Sequence, residues 1–174
     1  MAERKPFKLF LYRIPWILIG LVGGLLTAGV ISGFEGTLEE HIILAFFMPL
    51  VAYLSDAVGN QTQTMFIRDL AVRNKISKLK YTFTQAIAGS LIGIVCWAII
   101  SGVTHLFWND LYVGFVIGLS IFIATLVASF LAMGIPGILK LFGQDPAIGS
   151  GPFTTIIQDL LSIIIYFIVA TALL

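Results

Sequence analysis

Five apolar runs, each about twenty residues long, alternate along the chain with short stretches that collect most of its charge. The runs fall near 14–33, 42–67, 82–104, 113–133 and 151–174. At about 1.5 Å of rise per residue each is long enough to cross a hydrocarbon core of about 30 Å, so the pattern predicts five transmembrane helices. The stretches between them differ in sign. Residues 1–13 carry Arg4, Lys5, Lys8 and Arg13; residues 34–41 are acidic, without Lys or Arg. Residues 68–80 hold Arg68, Arg73, Lys75, Lys78 and Lys80 against Asp69, and residues 105–112 are aromatic, again without Lys or Arg. Residues 134–150 carry Lys140 and several Gly and Pro, which predict a helix break there, with Pro152 near the start of the last helix. Basic loops favour the cytoplasm, so the N-terminus is expected inside and the C-terminus outside. The reading is an all-α membrane protein: a basic cytoplasmic lead-in over 1–13, then a five-helix transmembrane domain over 14–174.

Composition agrees. Of 174 residues, 59% are hydrophobic and 11% charged, with a mean hydropathy of +1.03; soluble domains average about 25% charged. The net charge of +1 comes without any basic stripe interleaved with aromatics, which excludes nucleic acid as an expected partner. Cys96 is the one cysteine, so neither an intramolecular disulfide nor a thiolate metal cluster is suggested. The first apolar run is expected to be a retained span rather than a cleaved leader. Gly20, Gly23, Gly24, Thr27 and Ala28 give it a small-residue face, and Gly114 and Gly118 do the same for the fourth span; both suit close helix packing.

Two spans carry polar residues that lipid does not welcome. In the last, Gly151, Thr155, Asp159, Ser162 and Tyr166 recur at helical spacing and gather the small and polar residues onto one stripe. In the second, Ser55-Asp-Ala-Val-Gly-Asn-Gln-Thr-Gln-Thr64 is polar, and Asp56, Gly59, Asn60 and Gln63 share a face; Gln61 adjoins it. An acid at bilayer depth costs about 2.5–3.5 kcal/mol and faces a cavity or a partner. Interhelical hydrogen-bond glue is the structural alternative, for which Asn, Gln and Thr are common. A fragmentary echo, Gly59…Thr64…Ile67-x-Asp69 against Gly149…Thr154…Ile157-x-Asp159, has the form of an inverted repeat.

Two acids in two spans point to a cation pathway. The donors are hard oxygens without thiolate or imidazole, a set that suits Mg²⁺, which keeps several waters and takes one or two carboxylates. Five spans are few to enclose a pore, and a twofold dimer would bring two copies of Asp159 together as a −2 site. His41 and His105 read as solvated loop residues. No Ser-His-Asp set, phosphate-cradling loop or His-Glu-x-x-His pattern appears, so an enzyme is not expected.

Several stretches carry a resemblance. Arg13-Ile-Pro-Trp16, Phe34-Glu35, Phe47-Met-Pro-Leu50, Gly59-Asn-Gln61, Arg68-x-Leu-Ala71 and Asp145-Pro-Ala-x-x-Ser-Gly-Pro-Phe153 with Asp159 are similar to the membrane domain of the MgtE magnesium channels and transporters. The resemblance implies a homodimer in the plasma membrane that passes Mg²⁺ between subunits, with the second and fifth spans as pore lining. It implies that Asp159 is the pore acid, that Thr155 and Gly151 stand where further oxygen ligands or pore wall occur, and that Asp145 is a peripheral ion-binding acid on the cytoplasmic side. Asp56, Asn60 and Gln61 are second-span pore candidates.

The departures are specific. Where the family commonly has Gly-Gly-Asn-Ala-Gly-Asn-Gln, this chain has Ser55-Asp-Ala-Val-Gly-Asn-Gln61, which loses an Asn and adds an acid. The family's Asn two turns before the pore acid is Gly151 here. The family's cytoplasmic N-terminal and CBS domains lie outside these residues, so a separate or deleted regulatory domain is expected. Two other functions stay open: an H⁺- or Na⁺-coupled cation carrier using Asp56, and a non-transporting membrane scaffold.

Overall fold

In a computed structural model of the protein, residues 6–72, 77–143 and 146–174 are described. The elements are α1 (Pro6–Ser32), α2 (Glu35–Glu40), α3 (Ile43–Val72), α4 (Lys78–Trp108), α5 (Leu111–Leu141) and α6 (Pro146–Leu173). All but α2 are long and apolar enough to cross a membrane. This is a multi-pass membrane protein. Hydrocarbon supplies no partner for a backbone N–H or C=O, and a helix satisfies both within its own segment.

The α4–α5 connection shows how local chemistry sets the topology. Asn109 takes a left-handed conformation (φ 54°), and its N–H donates to the His105 carbonyl at 3.0 Å, closing α4. Asp110 then caps α5, its Oδ1 accepting the Val113 N–H at 2.9 Å. Two residues therefore reverse the chain. Below the turn, Gly114 and Gly118 let α5 lie against α4: a Cβ on Gly118 would run into Trp97, and one on Gly114 would stand 2.9 Å from Thr104 Cβ. The small pair serves helix packing, as expected.

Helix α5 is the centre of the bundle, packed on α3, α4 and α6. Over half of its most apolar window is buried (56%), against 6% for α1, which leans chiefly on α6. The core lies toward the end holding α2, where Leu44, Val51, Ile117, Ile121 and Phe167 meet. That end is also tied by polar bonds. Tyr166 Oη donates to the Leu44 carbonyl at 2.8 Å, and Tyr112 Oη donates to that of Leu173 at 2.7 Å.

Three expectations shift. α5 does not break at Gly134 but runs through Pro136 to Leu141. Pro136 removes only one backbone donor, and its ring is buried within the bundle, which a packed membrane helix tolerates. α6 starts at Pro146 rather than near Pro152. On α1, Gly23 meets the Ile156 side chain of α6, whereas a Cβ at Gly20 or Gly24 would face open space. Most of that small-residue face is unused within one chain.

Candidate functional site

Asp56 lies thirteen residues into α3 and Asp159 fourteen before the end of α6. The two helices run antiparallel, so both acids stand about 20 Å from the same end of the bundle. The fold brings them together. The Thr155 hydroxyl, one turn before Asp159, hydrogen bonds the Asp56 carboxylate, and the two acids are near enough for their like charges to repel. Asn60 Nδ2 donates to Asp56 Oδ2 at 2.8 Å, an i,i+4 pair on α3. Asp56 Oδ1 is enclosed and accepts no hydrogen bond among the described residues. Four of the sequence-predicted residues, Asp56, Asn60, Thr155 and Asp159, thus form one group across the α3–α6 seam.

Asp159 also lines a groove of about 410 Å³ between α1, α3 and α6. Its wall includes Gly24, Thr27 and Ala28 of α1 and Pro49 and Ala52 of α3; Asp56 is one turn beyond Ala52. The small residues of α1 keep this groove open beside the acid.

Other predicted residues stand elsewhere. Gln61 is exposed and lines a separate shallow groove with Asn60, Thr64 and Met65. Gly151 keeps its place two turns before Asp159 in α6. Asp145 lies outside the described residues. Asp69, the echo's counterpart of Asp159, is near the end of α3 beside the Arg68 guanidinium at 3.6 Å.

The last span carries more than one polar stripe. Ser162 and Tyr166 are buried, Ser162 Oγ donating to the Asp159 carbonyl at 2.9 Å, so the upper part of the stripe is structural. Thr154 and Gln158 form a second buried polar row that the sequence reading passed over. Gln158 Nε2 donates to the Ala128 carbonyl of α5 at 3.2 Å, and its amide lies against Gly59 of α3. The signal for it in the sequence is a Gln beside the acid, 100° around the helix from the acid's stripe.

Among the described residues no three His, Cys, Asp or Glu side chains gather. One chain offers two carboxylates, a hydroxyl and an amide. Such a set suits a hard cation that keeps part of its water.

A bundle of five membrane-crossing helices with an acid pair at shared depth defines a polytopic membrane protein with a polar seam. A family model described as a divalent cation transporter, MgtE, matches residues 48–169. Proteins named magnesium transporter MgtE are similar over nearly the whole chain: 35% identical over 98% of it in Bacillus subtilis (strain 168), 33% over 98% in Enterococcus faecalis, and 30% over 99% in Thermus thermophilus. The chain belongs to the MgtE family. It spans only 38–39% of the length of these relatives.

Proposed function

We propose that this chain is the ion-conducting membrane domain of a divalent-cation transporter, with Mg²⁺ as the preferred cargo. The observation that carries this reading is the meeting of Asp56 and Asp159 at one depth, with Asp159 on the wall of an open groove. Each carboxylate at such depth costs about 2.5–3.5 kcal/mol, and a passing cation offsets that cost directly.

In this reading two copies pair about a twofold axis, with α3 and α6 of each lining the pathway and the partner closing the groove. The unused small face of α1 supports that arrangement, since close helix contact in lipid favours such residues. Asp159 is the central ligand. Thr155, Asp56 and Asn60 hold its ion's water, Gly151 lies on the pore wall, and Gln61 and Asp145 act at the periphery. The basic end faces the cytoplasm of a plasma membrane, as the positive-inside rule requires.

Mg²⁺ uptake into dye-loaded proteoliposomes tests this, comparing the wild type with Asp159→Asn at equal incorporation. Flux that falls by about tenfold or more in the variant is the expected result, for a ligand worth 1.4 kcal/mol or more. Equal flux in both would remove the pathway from α6. The nearness of Asp56 to Asp159 favours a second reading, a coupled carrier, marked by flux that follows an H⁺ or Na⁺ gradient and loses that dependence in Asp56→Asn.

A further inference from the structure

Each acid of the seam directly follows a buried residue that is hydrogen bonded to α5. Ser55 Oγ, one residue before Asp56, donates to the Ala124 carbonyl at 3.3 Å. Gln158 Nε2, one residue before Asp159, donates to the Ala128 carbonyl at 3.2 Å. Ser55 and Gln158 are each 1% exposed. On α5, Ala124, Ala128 and Ala132 make a buried stripe at i, i+4 and i+8, and such small residues let side chains of two neighbouring helices reach its backbone.

The two anchors set a geometry. Ala124 and Ala128 are four residues apart, about 6 Å of rise, so they hold α3 and α6 to within about one turn of each other in depth. The residue after each tether is turned by about 100°, which carries Asp56 and Asp159 off the α5 contact. There Thr155 hydrogen bonds Asp56, and Asp159 stands on the wall of the groove beside α1. Gly59 leaves the space against α3 that the Gln158 amide occupies.

Hydrogen bonds between membrane helices contribute little to stability on average, and apolar packing around α5 holds the bundle. What distinguishes these two is their place, each immediately before an acid. We propose that Ser55 and Gln158 are positioning residues that use α5 as a common reference to set the depth and rotation of Asp56 and Asp159. The effect on cation passage rests on the transport reading; the effect on the seam does not.

Two measurements test this. In a Cys96→Ala background, bridging of Asp56→Cys to Thr155→Cys by a short bifunctional thiosulfonate reads the seam without any transport. Adding Ser55→Ala and Gln158→Met removes both donors with little change in volume, and is expected to slow bridging by about threefold or more, the scale of one membrane hydrogen bond. In proteoliposomes, with both acids intact, the same two substitutions are expected to raise the apparent KM for Mg²⁺ by about threefold or more at equal incorporation. A lowered melting temperature with bridging and KM at wild-type values would make the bonds helix glue and overturn the proposal. Slower bridging with an unchanged KM overturns it as well. If the wild type passes no Mg²⁺, the transport reading fails by itself, and the bridging rate still decides whether the tethers place the seam. Ser55→Ala alone decides both if Gln158→Met fails to fold by size-exclusion chromatography.

Discussion

Gly59 of α3 lies so close to the Gln158 carboxamide of α6 that a Cβ on the glycine would overlap the amide. Gln158 is buried and adjoins Asp159; Gly59 is three residues after Asp56. The contact therefore fixes the register in which the two acids face each other. A side chain at residue 59 displaces the Gln158 amide from its place beside Gly59 and from its bond to the Ala128 carbonyl.

Gly59→Ala is expected to destabilise the fold by about 1–3 kcal/mol through overpacking. Thermal unfolding in detergent measures this, with Gly102→Ala as control because nothing lies within 4 Å of a Cβ there. Equal melting temperatures for both variants would contradict the close contact.

Asp56 and Asp159 share one group of interactions, so their substitutions should not add. Asp56→Asn and Asp159→Asn, alone and combined, form a cycle read by Mg²⁺-dependent thermal stabilisation. The expected coupling is about 0.5–3 kcal/mol, as for residues in contact. Strict additivity would separate the acids into independent sites.

Tyr166 has another kind of role. Its hydroxyl donates to the Leu44 carbonyl in a buried setting, which ties α6 to the start of α3. Tyr166→Phe removes that one bond and should cost about 0.5–1.5 kcal/mol of stability. Cation uptake per folded protein should not change. A large loss of flux at unchanged stability would place Tyr166 in the pathway instead.

The free face of α1 makes a prediction about assembly. Gly24→Leu fills space that nothing in the same chain occupies, so the protomer should fold normally. If a second copy packs there, chemical cross-linking in membranes should yield markedly less dimer than the wild type. Undiminished cross-linking would move the interface away from α1.

Much of the fold was legible because lipid leaves few choices. Twenty apolar residues between charged stretches can satisfy their backbone only as a helix. The glycine pair of the fourth span marked a face for close helix packing, though not that α4 would fill it, and Asp56 and Asp159 stood out by cost. The helix ends were less legible. Gly134 and Pro136 read as a stop, yet a bundle can hold a helix through both, since one lost hydrogen bond is small beside the packing around Pro136. Gln158 was missed because an amide next to an acid looks like part of the same polar face. One residue is 100° of turn, and that places it against α5 instead.

By itself the sequence determined the class of protein, the number of crossings, and which residues are too polar for lipid, because hydropathy and helical period act within single segments. The tertiary structure alone decided that Asp56 meets Asp159, that Gln61 turns away, and that α1 leaves a groove open beside the acid. Those relations depend on how deep and at what rotation one helix lies against another. Contacts between segments distant in the chain, such as Gly59 with Gln158, set both.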